Sequence, residues 1–201
     1  MSKTLIAVLG VIGFLLVIGL IIFGWVTSTY NQIVSLDEAI NQAWSQVENQ
    51  YQRRYDLIPN LVETVKGYAK HEREVFTQVT EARAKVGQIT ITPEVLKDPQ
   101  AFARFQQAQD ALSSALSRLL AVAENYPQLK ANENFLQLQA QLEGTENRIA
   151  VERRRYNEVV QRYNTYIRRF PANIIAGMFG FRERPYFKAA EQAQEAPKVQ
   201  F

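Results

Sequence analysis

The fold depends on one stretch of the chain, residues 53–72, which reads RRYDLIPNLVETVKGYAKHE. This stretch is rich in helix-forming residues and has the apolar rhythm of an amphipathic helix, yet Pro59 lies in its middle. An interior proline removes one backbone hydrogen bond, but it kinks a helix more readily than it ends one when packing holds both halves. Either one helix continues through Pro59 or two helices meet there.

The apolar residues on both sides of Pro59 keep one period. They recur in steps of three, four and four residues, a repeat close to the natural helix turn, so the stripe barely drifts around the axis. Because the phase survives the proline, we expect one long helix from about Thr29 to Lys85, kinked at Pro59. A break at residues 57–59 is the alternative, since the residue before a proline disfavours the helical conformation. The stripe comprises Ile33, Leu36, Ile40, Trp44, Val47, Tyr51, Tyr55, Ile58 and Val62.

A separate apolar block lies near the N-terminus. Residues 5–26 read LIAVLGVIGFLLVIGLIIFGWV, carry no charge and reach the roughly 20 residues that a helix needs to cross a bilayer. The block is too long for a typical signal peptide, and no small-residue cleavage site follows it, so we interpret it as a membrane anchor. A removed signal peptide is the alternative. The anchor residues include Leu5, Phe14, Leu20 and Trp25.

The charges beside this block predict its orientation. Lys3 and the terminal amine precede the block, whereas the first basic residue after it is Arg53. Positive residues tend to stay on the cytoplasmic side, so we expect the N-terminus inside and the soluble body outside.

The rest of the chain carries helix signals and no run with strand alternation. Thr92 and Asp98 are cap residues that each precede a proline, and the first of them predicts a short helix at residues 93–97. Heptad spacing from Phe105 to Tyr126 predicts a second long helix. Spacing of three and four residues predicts a third helix from about 132 to 170.

These signals together predict an all-α fold, in which an N-terminal transmembrane helix is followed by an elongated antiparallel bundle of long helices. Since the first and third helices are longer than the second, we expect part of their apolar surface to lack a partner within the chain and to favour self-association. The predicted segments are a flank at residues 1–4, the anchor at 5–26, the bundle at 29–170, an aromatic and glycine-rich segment at 171–187 and a flexible tail at 188–201.

Residues that carry chemistry are sparse. The chain has no cysteine, and His71 is its single histidine, so neither a usual zinc site nor a nucleophile–histidine–carboxylate triad is expected. The sequence contains no glycine-rich phosphate loop and no hydrolase or kinase motif. We therefore expect no catalytic residue, cofactor or metal, and no enzymatic activity. A net charge of +3, from 23 basic and 20 acidic residues, argues against nucleic acid as a partner.

A polar stretch interrupts the third helix at residues 142–158, which read LEGTENRIAVERRRYNE. Gly144 costs a helix about 1 kcal/mol relative to alanine, which predicts the close approach of another helix there. We hypothesise that a polar layer fixes the helix register, as buried polar groups do in some proteins. An ordinary exposed face with ion pairs is the alternative. The predicted members are Arg53, Arg54, Gly144, Glu146, Asn147 and Arg148.

Residues 171–187 are apolar and aromatic, are broken by Gly177 and Gly180, and are framed by arginines. Such a segment can lie in a membrane interface or dock on another protein. The alternative is a cap that folds back on the open end of the bundle, because most such apolar stretches belong to a core. The predicted contact residues are Arg168, Arg169, Ile174, Ile175, Met178, Phe179, Phe181, Arg182 and Arg184.

Two stretches of this chain resemble the LemA family. They are YNQIVSLDEAINQAWSQVENQYQRRYDLIPNLVETVKGYAKHEREVF at residues 30–76 and YPQLKANENFLQLQAQLEGTENRIAVERRRYNEVVQRYNTYIRRFPANIIAGMFGF at residues 126–181. The resemblance implies a bacterial single-pass protein with an elongated helical body, and it carries over no catalytic residues. A related branch of such proteins is associated with magnetosome membranes. With the charge pattern, the resemblance places the anchor in the bacterial cell (inner) membrane and the body on the periplasmic side.

The sequence therefore predicts a membrane-anchored helical scaffold or interaction protein of the bacterial envelope, which self-assembles through exposed helix seams. The expected partners are the lipid bilayer, further copies of the chain as a homo-oligomer, and other envelope proteins. The alternative function is a membrane-shaping or membrane-organising protein that contacts lipid through its arginine-framed aromatic C-terminal segment.

Overall fold

The computed structural model describes residues 3–89 and 95–188, and within those ranges the fold is all-α, as predicted. Of the short helix predicted at residues 93–97, residues 93–94 lie outside the described part and residues 95–97 form a turn; the tail from residue 189 also lies outside it. The helices are α1 Lys3–Tyr68, α2 Arg73–Gln88, α3 Pro99–Ala123, α4 Pro127–Lys130, α5 Glu133–Arg168 and α6 Ala172–Phe179.

The chain divides into two compact units. The first, called here the anchor unit, comprises Met1–Ala39 and Gln161–Glu183, and the second, called here the core unit, comprises Ile40–Val160 and Arg184–Phe201. The anchor unit therefore contains the first part of α1, the end of α5 and all of α6. The core unit contains the rest of α1 and α5 together with α2, α3 and α4.

Helix α1 continues through Pro59 without interruption, so the alternative of a break at residues 57–59 is wrong. Ile58 and Val62, one on each side of the proline, are both buried. Their burial anchors both halves of the helix in the same core, which outweighs the single hydrogen bond that the proline removes. The kink at Pro59 stays a prediction.

The long helix predicted to reach Lys85 is wrong at its C-terminal end. α1 stops at Tyr68, and the chain turns before α2 begins. In α2, the guanidinium carbon of Arg83 lies 3.9 Å from the centre of the Tyr55 ring in α1. These two residues flank the turn at similar distances along the chain, so α2 folds back along α1 as a helical hairpin.

The hairpin keeps the apolar stripe in phase because both of its arms face one core. Val65 and Ala69 before the turn and Phe76 and Val79 after it belong to the same buried cluster. The Asp98 side chain caps α3 as predicted, because it accepts a hydrogen bond from the Gln100 backbone N–H at 2.8 Å. The stripe residues of α3 and α5 complete the core. Its members are Ile58, Leu61, Val62, Val65, Ala69, Phe76, Val79, Ala82, Leu112, Ala115, Leu116, Leu119, Ala123, Leu129, Phe135 and Leu142.

Most residues of the apolar stripes are buried within one chain, whereas Leu36 and Tyr55 of α1 are half-buried. Ile33, Ile40 and Val47 of α1 have no exposed surface, and Leu142 and Ile149 of α5 are almost fully buried. Little of the surplus apolar surface expected from the unequal helix lengths therefore lies along these stripes. In the described part of the chain, the large exposed apolar side chains are concentrated instead in the N-terminal part of α1 and around α6.

Candidate functional site: the aromatic end of the anchor unit

The N-terminal part of α1 has the properties of a membrane anchor. By length and composition it is apolar enough to cross a membrane, and none of the described residues of this apolar stretch is buried in the protein. Phe14 and Leu20 are among its most exposed side chains, and Trp25 lies at its end. Leu5 lies in the same helix. These properties make this part of α1 a candidate membrane-spanning helix.

The aromatic C-terminal segment packs against the end of this apolar stretch. The Tyr30 ring lies 4.8 Å from the Phe179 ring and 5.8 Å from the Phe181 ring, measured between centroids. Gly180 makes this contact possible because it ends α6 in the left-handed conformation, with φ of 75°. Tyr30 follows Trp25 by little more than one helical turn, so α6 lies beside the end of the apolar stretch of α1.

Helix α6 has one buried face and one exposed face. Ile175 is 2% exposed, and Ala172 and Ala176 are buried beside it. The opposite face presents Ile174, Met178 and Phe179, and Phe170 lies just before the helix. The exposed fraction is 80% for Phe170 and 74% for Met178, values that are unusual for large apolar side chains at a water-facing surface. We call these four residues, Phe170, Ile174, Met178 and Phe179, the apolar face.

Three arginines flank the apolar face along the chain. Arg168, Arg169 and Arg182 are exposed, and Arg168 forms an exposed ion pair of 3.8 Å with Glu183. The backbone next to this group is held by Tyr163, whose hydroxyl donates to the Arg182 carbonyl at 3.1 Å. The arrangement therefore combines apolar side chains with cations around them, as in segments that lie at a membrane interface.

Two residues predicted for this contact surface are not on it. Ile175 faces inward in α6, and Arg184 is only 5% exposed. Their placement in a lipid-contacting set is wrong because α6 buries one helical face and the chain enters the core unit at Arg184.

The last part of the predicted segment is a core element. Phe187 is buried against Trp44, with the rings nearly parallel and 6.0 Å apart. Two side-chain amides clamp the backbone beside it: Asn157 accepts from the Phe187 N–H and donates to its carbonyl, both at 2.9 Å, and Gln106 bonds in the same way to Lys188. The two interpretations of residues 171–187 thus apply to different parts of the segment. Its C-terminal end, at Phe187, packs on the core as a cap would, whereas α6 leaves its apolar face uncovered.

Part of the predicted polar layer comes together around Arg54. This side chain is 1% exposed, and its Nη1 donates to Glu146 Oε1 at 2.7 Å and to Ser113 Oγ at 2.6 Å. Its Nη2 donates to the Gln109 side-chain oxygen. The pairing of Arg54 with Glu146 joins α1 to α5, and the α3 residues Ser113 and Gln109 had not been predicted. Whether this cluster fixes the helix register stays a prediction.

The remaining predicted members of the layer lie outside the cluster. Arg53, Asn147 and Arg148 are exposed. Gly144 is exposed as well, and a Cβ built there would have no described neighbour within 4 Å. The close helix approach inferred from this glycine is therefore wrong.

A second polar link was missed by the sequence analysis. The Arg153 Nε donates to the Tyr51 hydroxyl oxygen at 2.5 Å, and its Nη2 contacts Asp110 Oδ1 at 3.0 Å. Arg153 lies in the polar stretch 142–158, for which an ordinary exposed face with ion pairs was the alternative. The signal that could have identified it is the tyrosine at an interior position of the α1 stripe, whose hydroxyl needs a partner when buried.

Burial raises the pKa of the Tyr156 hydroxyl above its ordinary value of 10, while Arg184 acts in the opposite direction. Above about pH 10 the unfolded chain loses the phenolic proton and the folded chain retains it, so stability is full below that pH and falls as pH rises further. We expect Tyr156→Phe to reduce this alkaline loss in urea unfolding. Near pH 7 it should change stability by no more than about 1 kcal/mol, since the hydroxyl donates only one long bond, 3.3 Å, to Pro185.

The matched control for this measurement is Tyr186→Phe, at a tyrosine that is 39% exposed. An alkaline slope that is equally steep in Tyr156→Phe and in the parent chain would contradict the assignment.

The comparisons with known proteins agree with this architecture. A model of the LemA family matches residues 43–201. Over 175 residues the chain is 29% identical to magnetosome protein MamQ 2 of Paramagnetospirillum magneticum, an alignment that covers 79% of this chain and 64% of that protein. It is 25% identical over 178 residues to protein LemA of Metamycoplasma hominis, covering 89% of this chain and 77% of that protein.

The chain spans a little less than two thirds of the length of the magnetosome relatives, and the family match begins after the apolar stretch of α1. That match nevertheless includes most of the chain, with α6 and the Arg54 cluster inside it. The chain therefore belongs to the LemA family and carries a candidate membrane-spanning helix ahead of the matched region.

Proposed function

We propose that this protein organises a membrane surface: α1 anchors the chain, and α6 lies in the lipid interface beside the anchor through its apolar face. The observation that carries the proposal is the contact of Tyr30 with Phe179 and Phe181, which holds an exposed apolar helix at the exit of the membrane-spanning stretch. No step in this function requires a catalytic residue or a cofactor.

The depth of α6 follows from helix geometry. Tyr30 lies four residues beyond the predicted end of the anchor at Val26, which corresponds to about 6 Å along the helix axis. The headgroup layer is roughly 5–7 Å thick on each side of the hydrocarbon core. Side chains that pack against Tyr30 therefore lie at the level of the headgroups, where apolar residues can reach the ends of the acyl chains.

The energetics favour this placement. Full burial of one large apolar side chain contributes about 1.5–3 kcal/mol, so covering the four partly exposed residues of the apolar face would contribute at least about 3 kcal/mol. The flanking guanidinium groups of Arg168, Arg169 and Arg182 can meanwhile reach lipid phosphates. Because α6 would enter only one leaflet, its insertion would expand that leaflet and favour a particular curvature or lipid composition.

Self-assembly through exposed helix seams is the function that the sequence favoured. Its physical ground was unpartnered apolar surface along the long helices, and most residues of those stripes are buried in a single chain. A second copy could still cover the apolar face of α6, and this outcome is distinguished by the experiment below.

The experiment uses the absence of cysteine from the chain. Met178→Cys in the full-length protein, labelled with an environment-sensitive fluorophore and reconstituted in liposomes, should report an apolar environment and be quenched by lipids carrying a nitroxide near the headgroup. The matched control is Leu136→Cys, an exposed apolar position in the core unit, which should remain accessible to water and unquenched.

Two results would contradict the proposal. Equal water accessibility of the labels at positions 178 and 136 would show that α6 does not enter lipid. A label at position 178 that is shielded from water, is not quenched by the nitroxide lipids and becomes exposed on dilution with lipid would identify a second copy as the covering surface.

A further inference from the structure

The anchor unit contains a groove between α1 and α5 with a volume of about 460 Å³. Gln32 and Leu36 line it from α1, and about two and a half turns of α5 line the other side. The α5 residues used below are Arg162, Thr165, Tyr166 and Arg169.

Two arginines give the groove its chemistry. Arg162 and Arg169 are seven residues apart, so they lie on one face of α5 with a rise of about 10 Å between them. The hydroxyl-bearing residues Thr165 and Tyr166 lie between them. The groove therefore offers cations at both ends and hydroxyl groups in the middle, the donor set that recognises phosphate and polyol oxygens.

The charge of the groove is not neutralised by acidic residues. None of its lining residues is acidic, and neither Arg162 nor Arg169 forms an ion pair with a described acidic residue. The neighbouring Arg168 differs, because it lies 3.8 Å from Glu183. The two groove arginines are thus available to an external anion.

The position of the groove places that anion near the membrane. Gln32 lies six residues beyond Val26, about 9 Å along α1, and an arginine side chain can extend several ångströms further. At the other end, Arg169 immediately precedes Phe170 of the apolar face. The groove therefore opens beside the surface that the proposed function places in lipid.

We infer that this groove binds the phosphate headgroup of an anionic glycerophospholipid. Arg162 and Arg169 hold the phosphate, and the hydroxyl and amide groups between them accept the headgroup polyol. The apolar face, which follows directly after Arg169, gives the acyl chains an apolar path from the headgroup towards the bilayer. The inference rests on the proposed function for its location, and it adds the lipid class that the anchor unit selects.

The test measures lipid selectivity with the full-length chain. Native mass spectrometry of the detergent-solubilised protein, after equilibration with an equal mixture of phosphatidylglycerol and phosphatidylcholine, gives the ratio of the two lipids retained. The parent chain should retain phosphatidylglycerol preferentially. In Arg162→Gln/Arg169→Gln the ratio should fall by up to roughly 30-fold, since each cation contributes about a fivefold preference for an anionic surface.

The matched control is Arg73→Gln/Arg104→Gln, which removes the same charge from exposed positions in the core unit. This variant should keep the parent ratio. An unchanged ratio in the groove variant, or an equal fall in both variants, would overturn the inference, because the preference would then come from net charge or from another site.

A second arm separates lipid from free phosphate. Addition of inorganic phosphate or glycerol phosphate should leave phosphatidylglycerol bound, because these anions lack the acyl chains that the apolar face would contact. Displacement of the lipid at physiological phosphate concentration would overturn the assignment to lipid. In purely zwitterionic vesicles no anionic lipid is present for the groove to bind, so the fluorophore at position 178 reports on the insertion of α6 alone. Failure of the inference and failure of the proposed function are therefore distinguishable.

Discussion

Replacement of Trp44 with alanine is expected to lower the free energy of unfolding by about 4 kcal/mol, the range for the loss of a large aromatic side chain from a packed core. Trp44 is 5% exposed, and its ring lies 5.4–6.0 Å from those of Phe102, Phe105, Tyr156 and Phe187. These rings come from α3, from α5 and from the chain beyond α6, so the cavity would loosen several elements at once. Urea unfolding of the full-length chain in detergent, followed by far-UV circular dichroism, measures the loss.

The control is Trp25→Ala, because Trp25 is 38% exposed in the apolar part of α1 and its removal leaves no internal cavity. Trp44→Phe keeps an aromatic ring and should lose less than half as much, which keeps the prediction testable if the alanine variant does not fold. Equal losses at positions 44 and 25 would contradict the role of Trp44 as the centre of the aromatic core.

Glu146→Leu is expected to lower the free energy of unfolding by about 3 kcal/mol. The substitution removes the carboxylate that lies 2.7 Å from Arg54 and leaves a buried guanidinium with only Ser113 and Gln109 as partners. The loss is costly because the buried Arg54 charge has given up its water and would lose its counter-ion, and it lies at the lower end of the range for buried pairs because Glu146 itself is 35% exposed. Equilibrium unfolding measures the loss, and the uniformity of the folded species is followed by size-exclusion chromatography.

The matched control is Glu143→Leu, one helical turn away, where the side chain is exposed and forms no ion pair among the described residues. The double variant Arg54→Met/Glu146→Leu should recover most of the loss, since an apolar pair of similar volume needs no counter-charge. A stable and uniform Glu146→Leu chain would exclude the hypothesis that this cluster fixes the helix register.

The burial of polar residues explains why this cluster was only partly predicted. Gln109 is 2% exposed on the inner face of α3, beside the apolar residues whose heptad spacing predicted this helix. Hydrophobic periodicity identifies the buried face of a helix by its apolar residues alone, so it does not predict that a glutamine on the same face is buried. Arg53 and Arg54 were both predicted as members of the polar layer, and only packing against α3 and α5 distinguishes the buried Arg54 from the exposed Arg53.

The helical hairpin was missed for a geometric reason. A periodic apolar stripe records which side of a helix faces the core, and this side stays the same whether the next helix continues onward or folds back. Val65 and Phe76 keep the phase across the turn because both face one core. The local signal at the turn was weak, consisting of Gly67 and a run of polar residues without proline.

The amino-acid sequence by itself determined the all-α fold, the apolar N-terminal stretch, the continuation of α1 through Pro59 and the family, because periodicity, length and local composition are properties of neighbours along the chain. Only the tertiary structure decided that α2 folds back on α1, that Ile175 is buried while Ile174 is exposed, and that Arg184 enters the core. Adjacent isoleucines and clustered arginines have the same chemistry, so their roles depend on which face of the helix meets another element. The same dependence leaves the apolar face of α6 uncovered beside Tyr30.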